Sequence, residues 1–241
     1  MKLHVHMLVF ATLATAALAF SQQQVTLDGP FQVRYASNLI AGGDGVVNIT
    51  NTGASSSLTN CSPQQGCVGP AQNNINGNIC VNIYTFAADE QEVACCSCLI
   101  TPNALWSASV KTALLNSTLT PSFPNEVVIK LIATNPKQKT VDTVTTQRCD
   151  PASIDTTATV GSASGFLANG LLAWGTSVHG VPNATTGPSF QMAETPFLPA
   201  SLSAAEELRD VQECQFNQIL GSGQFGLCKG CSNSGLGANA E

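Results

Sequence analysis

The residues of this sequence best suited to chemistry are its ten cysteines. Four of them, Cys80, Cys95, Cys96 and Cys98, fall within one nineteen-residue stretch. Sulfurs at that density act either as thiolate metal ligands or as disulfide partners, and the compartment decides between the two. Met1 to His6 carries one positive charge, Lys2, and Met7 to Ala19 is an uncharged apolar run. Residues 1–21 therefore read as a signal peptide, cleaved after Ser21, with cleavage after Ala19 as the alternative. Export favours disulfides, so Cys61, Cys67, Cys80, Cys95, Cys96, Cys98, Cys149, Cys214, Cys228 and Cys231 are all expected to be bridged, with no metal and no cofactor.

Other chemistries are poorly supplied. His179 is the only histidine beyond residue 21, which excludes histidine metal clusters. Ser177 and His179 do not form a G-x-S-x-G elbow, so catalysis through His179 is not expected. Gly221 to Gly226 matches G-x-G-x-x-G but follows a helix rather than a strand, so it reads as a turn. Cys228 and Cys231 form a C-x-x-C without a following helix and read as structural. Asp89, Glu90 and Glu92 could supply paired carboxylates for glycoside hydrolysis, but they read as an acidic turn.

These residues must be positioned by strands. Residues 80–86 alternate, with Val81, Ile83 and Thr85 on one face and Cys80, Asn82, Tyr84 and Phe86 on the other. Ala87 to Gln91 reads as a hairpin loop and Glu92 to Leu99 as the return strand. A turn centred near Asp89 sets Cys80 opposite Cys98; a slip of two residues sets it opposite Cys96 instead. Directly opposed residues are close enough for a disulfide after small adjustment. Cys95 faces the other side and needs a distant partner.

Further strands are expected at 25–27, 31–35, 46–50, 105–115, 126–134, 170–179 and 190–194, with an edge strand at 141–145 and Cys149 as a tie. Glu126 to Thr134 is apolar on both faces, interrupted by Lys130, and reads as a central strand. Residues 54–78 form a long polar loop in which Cys61 and Cys67 are expected to close a local ring. Ser203 and Glu206 form a capping box opening a helix over 204–220, with Ala205, Leu208, Val211, Phe216 and Ile219 on an apolar stripe that should cover a sheet. The tail is expected to fold back so that Cys214 bonds Cys228 or Cys231, the other tail cysteine reaching the Cys95, Cys96 and Cys98 cluster. The fold class is thus mainly β: a disulfide-tied antiparallel β-sandwich with one C-terminal α-helix. Residues 22–241 form one domain, divided into a β region (22–201), the helix (202–220) and a cysteine-containing tail (221–241).

Only 10% of residues are charged. Losing Lys2 with the leader leaves eight basic residues against fifteen acidic ones. That balance disfavours nucleic acid or an anionic membrane as partner. No run after the leader is long and apolar enough to span a membrane.

Three segments carry a resemblance: Cys80-Val-Asn-Ile-Tyr-Thr-Phe with Cys95-Cys-Ser-Cys-Leu-Ile-Thr-Pro-Asn; Ala173-Trp-Gly-Thr-Ser-Val-His with Ala193-Glu-Thr-Pro-Phe; and Leu202 to Cys231. They resemble a group of exported, cysteine-rich proteins of soil bacteria that has no assigned activity. The resemblance implies export and hands over no catalytic residue. The reading that follows is a non-enzymatic structural or adhesive protein, secreted to the extracellular or periplasmic space, whose partners are itself or surface and matrix polymers. A glycan- or ligand-binding module using Tyr84, Trp106 or Trp174 is the alternative, and a hydrolase using carboxylates stands behind it.

Overall fold

A strand that is apolar on both faces needs cover on both sides, and the segment Val127–Thr134 receives it. A computed structural model of the protein describes residues 29–40, 43–54, 77–116, 118, 122–141, 144–154, 167–181, 187, 189–220, 226 and 228. The leader, the strand expected at 25–27, the Cys61 and Cys67 loop, glycines 221 and 223, and Cys231 lie outside the described residues. The strands in chain order are β1 (Phe31–Ala36), β2 (Asp44–Asn51), β3 (Ile79–Ala87), β4 (Glu92–Ile100), β5 (Leu105–Ser109), β6 (Val127–Thr134), β7 (Lys137–Val141), β8 (Val144–Arg148), β9 (Leu171–Val181), β10 (Ser189–Pro196) and β11 (Leu198–Pro199). The helix α1 spans Ala204–Leu220.

The strands form a five-stranded antiparallel sheet, β11-β1-β6-β3-β4, and a four-stranded antiparallel sheet, β10-β9-β2-β5. One core lies between them: Val81, Ile83, Ile129 and Leu131 from the first sheet meet Val47, Ile49, Trp106 and Leu171 from the second. A second core covers the outer face of the five-stranded sheet, where Tyr84, Phe86 and Ile132 meet Leu202 and Cys214. The protein is therefore a sandwich with a helix laid over one outer face. β6 lies between β1 and β3, at the centre of its sheet. Replacing the fully buried Ile129 with Ala should lower the unfolding free energy by about 2–5 kcal/mol. Urea unfolding measures this; a change near zero would remove the residue from the core.

Between the sheets the chain crosses at Phe197, which is buried and whose N–H donates to Ala173 O at 2.9 Å. β10 belongs to one sheet and β11, immediately after, to the other, so this corner closes one side of the sandwich.

Several expectations are corrected. The hairpin carries an irregularity between Thr85 and Phe86, so Thr85 pairs with Ala94 but Phe86 with Glu92. Such a one-residue shift changes which side chains share a face. Cys80 thus lies opposite Leu99, not Cys98 or Cys96. Cys96 and Cys98 pack into the inter-sheet core, and Cys80 bonds Cys149 instead. Cys95 bonds Cys214, so Cys214 does not close on the tail. Cys96 bonds Cys228, which does pin the tail to the hairpin. Cys98 is also disulfide-bonded, and no described cysteine is free.

The strand expected over 105–115 ends at Ser109, and a π-helical turn follows at Val110–Leu114. Polar groups compete with the sheet there. Asp44 accepts from Ser109 Oγ and Lys111 N, and Ser109 Oγ accepts from Thr112 N. The edge strand expected at 141–145 is instead parts of two strands, β7 and β8, which pair with each other.

Helix α1 has the expected limits, and Ser203 Oγ accepts from Glu206 N at 3.2 Å as an N-cap. Of its expected apolar stripe only Val211 is buried, so the inward face is a different one. The buried residues are Glu207, Asp210, Val211, Cys214 and Asn217, while Leu208, Phe216, Ile219 and Leu220 face solvent. The Cys95–Cys214 bond and two polar anchors turn this face inward. Asn217 Nδ2 donates to Glu92, and Lys130 Nζ donates to Glu206 and Asp210.

Candidate interaction surface

In β2 the buried residues Gly45, Val47, Ile49 and Asn51 alternate with half-buried Asp44, Val46, Asn48 and Thr50. The second set faces away from the core, and pairing carries that face across the sheet. Asp44 is opposite Val178, which is opposite Met192; Val46 leads to Thr176 and Glu194; Asn48 leads to Trp174 and Pro196. Phe190, opposite Gly180, extends the same face. Among the described residues nothing covers it at β10. Phe190 is 63% and Met192 75% exposed.

β10 is also an edge. It pairs only with β9 among the described residues, and every position from Phe190 to Pro196 is exposed. The other edges of the two large sheets are managed. β11 has two residues and β5 five. β4 is longer, but the tail lies along it: Cys95 N donates to Gly226 O at 2.9 Å, and Cys228 N donates to Cys95 O at 3.4 Å. An edge of eight residues with two exposed apolar side chains is a template for pairing with another chain.

The aromatic residues offered as a ligand platform do not form one. Tyr84 is fully buried beneath α1, its hydroxyl donating to Pro151 O at 2.7 Å. Trp106 is buried in the inter-sheet core. Trp174 alone remains half-buried on the outer face of β9. Asn48 beside it donates to Thr176 Oγ1 and accepts from Ser107 Oγ.

The carboxylates at the hairpin tip separate. Asp89 and Glu90 are exposed, and Glu92 is buried. Asp89 and Glu126 line a cleft of about 310 Å³ with Ala87, Ala88, Gln91, Val93, Ser122, Pro124 and Asn125. Both carboxylates already hold local structure: Asp89 Oδ1 accepts from Gln91 N, and Glu126 accepts from the Tyr35 hydroxyl. His179 lies half-buried on β9 opposite Gln191.

Beneath α1 lies a charged layer that sequence reasoning missed. Lys130 rises from the centre of β6, with its Nζ 4.2 Å from the centre of the Phe86 ring. Asp210 and Glu207 come down from the helix and Glu92 from β4, all buried. Burial pushes the Glu92 carboxyl up to about 9, with the Asn217 hydrogen bond opposing and the Asp210 charge adding to the rise. Burial also raises Asp210 to about 6, against the pull of Lys130. The Lys130 hydrogen bond lowers Glu206. Glu92 thus sits protonated at neutral pH beside the Cys95 and Cys214 sulfurs. Those sulfurs are bonded to each other, so they offer no thiolates to a metal. The signals were present as Lys130 within an apolar strand and as Glu207, Asp210 and Cys214 at helical spacing. Helix hydrophobicity outweighed them.

Searches of family models, curated proteins and solved structures found no match for this chain.

Proposed function

We propose that this is a secreted structural or adhesive protein of the cell surface or matrix that associates with further copies of itself through β10. The observation carrying this reading is the eight-residue β10 edge, exposed from Phe190 to Pro196 and bearing Phe190 and Met192. Two further observations support it. A surface with few charges lets copies approach without strong repulsion, and only 10% of residues are charged. The disulfides belong to an oxidising compartment, which agrees with a signal peptide at residues 1–21 and release outside the cytoplasm. The resemblance to exported, cysteine-rich proteins points the same way.

Size-exclusion chromatography with light scattering tests the reading. The secreted protein should run as a dimer or larger species whose size grows with concentration. Replacing Phe190 and Met192 together by Lys should return it to the monomer with its unfolding midpoint nearly unchanged, because neither side chain is in the core. A wild type that stays monomeric at high concentration would remove the basis of the proposal.

A second reading, a ligand-binding module, is favoured by one observation, the cleft lined by Asp89 and Glu126 at the hairpin tip. It predicts sugar binding that is lost in Glu126→Gln and unaffected by the β10 changes.

A further inference from the structure

Arg34 stands on the core-facing side of β1, between Gln32 and Ala36, and is 9% exposed. Arginine is almost never buried to this degree without a carboxylate partner. The sequence holds fifteen acidic residues, yet none among those described pairs with Arg34. Among the described residues the guanidinium makes one hydrogen bond, from Nη2 to Ser177 Oγ at 2.8 Å. The Phe197 ring lies below, its centre 6.0 Å from the guanidinium carbon. Burial lowers the Arg34 pKa, and no neighbouring charge acts in opposition.

The carboxylates nearest in register are turned away. Glu194 is paired with Thr176, accepts from its hydroxyl, and shares the outer face of the sheet with it. Asp44, opposite Val178, is held by Gly45 N, Ser109 Oγ and Lys111 N. Space for the guanidinium is provided by Gly175. A Cβ at that position would fall 0.9 Å from Arg34 Nη1 and 2.0 Å from Cζ, so the head group occupies the volume a side chain would take.

The Arg34–Ser177 bond is only partly buried. Ala193 and Thr195, the β10 partners of Ser177 and Gly175, are exposed. A guanidinium carries five N–H donors in a planar fork that matches the two oxygens of a carboxylate or phosphate. One donor is used here by a neutral hydroxyl, which can itself donate to an anion.

We propose that Arg34, seated against Gly175, and Ser177 form a binding site for an oxyanion of an external ligand. The ligand chemistry is a planar or tetrahedral oxyanion, carried by a free anion or by an acidic sugar. This site is independent of self-association through Phe190 and Met192, which lie on the opposite face of the β9–β10 ribbon.

Isothermal titration calorimetry at fixed ionic strength tests the proposal, with inorganic phosphate and sodium glucuronate as probes. The wild type should bind at least one of them saturably at one site per chain. Binding of glucuronate alone assigns a sugar carboxylate, and binding of phosphate alone assigns a tetrahedral anion; either supports the site. Arg34→Met should weaken binding at least tenfold, and Arg34→Lys should restore only part of it, because a point charge lacks the fork. Should Arg34→Met fail to fold, Ser177→Ala keeps the guanidinium and should still weaken binding several-fold. The Phe190 and Met192 double variant should bind as the wild type does. Saturable binding of neither probe, or equal affinity in the wild type and the Arg34 and Ser177 variants, would overturn the proposal.

Discussion

Raising the pH from about 4.5 to about 9 is expected to weaken the fold progressively, with Glu92 as the main cause. In the unfolded chain Glu92 ionises near its ordinary value of 4.5; in the folded protein its proton is held up to about 9. Between those limits folding takes up a proton, so the unfolding free energy falls by at most about 1.4 kcal/mol per pH unit. The contribution of protonated Glu92 is complete below 4.5 and gone above about 9. Asp210 acts in the same direction between 3.8 and about 6. Glu206 acts oppositely: its pKa is lowered by Lys130, so its contribution is lost as the solution becomes acidic. Glu213 and Lys130 also face the cluster and oppose each other in their effect on Glu92. Urea unfolding across this pH range measures the slope. Glu92→Gln, which keeps an acceptor for Asn217 without an ionisable proton, should flatten most of it. An unchanged slope in that variant would place the pH dependence elsewhere.

The second large effect is expected from the bond that holds α1. Cys95 and Cys214 lie 119 residues apart, but the neighbouring Cys96–Cys228 bond shortens the loop they close in the unfolded chain to about 15 residues, for which the loss of the constraint costs about 3 kcal/mol. The loss should exceed that of an ordinary surface tie. The helix presents Glu207, Asp210 and Asn217 to the sheet beside Val211 and Cys214, so once the bond is lost Val211 is its main buried apolar side chain. Replacing both cysteines with Ser should therefore accelerate amide hydrogen exchange throughout 204–220 and expose Tyr84, while Val81, Ile83 and Ile129 in the inter-sheet core stay protected. Hydrogen exchange resolved by mass spectrometry reads both regions. Exchange that rises equally in both would show that helix and sandwich unfold as one unit.

How legible this fold was depends on the kind of signal. Alternation and apolar runs are local, so β1, β2, β6 and β9 could be placed to within a residue or two, and Ser203 marked the start of α1. Register is not local. The irregularity after Thr85 moves Val93 out of the expected alternation, and nothing in the composition of 85–93 announces it. That single shift removed the Cys80–Cys98 pairing. The face of α1 was misread for a related reason. Leu208, Phe216 and Ile219 form the more hydrophobic stripe, but orientation was decided by Cys214 and by Lys130 on a strand some 80 residues earlier. For the surface, Phe190 and Met192 were visible as strand residues, yet their exposure depends on β10 lying at an edge, which only the sheet order reveals. Arg34 is charged yet buried; its burial depends on Gly175, whose small size on β9 makes the room.

The order in which the cysteines leave the ribosome has its own consequence. Cys95 and Cys96 are made together, but their partners follow 119 and 132 residues later. At about 5–20 residues per second, that gap lasts roughly 6–26 s. Throughout it, two adjacent thiols wait beside Cys98, and any oxidation of Cys95 or Cys96 in that interval joins the wrong sulfurs. Correct maturation therefore needs either delayed oxidation or an exchange catalyst able to reopen a premature bond. A chain cut short before Cys214 carries two orphaned thiols, which marks it chemically as unfinished.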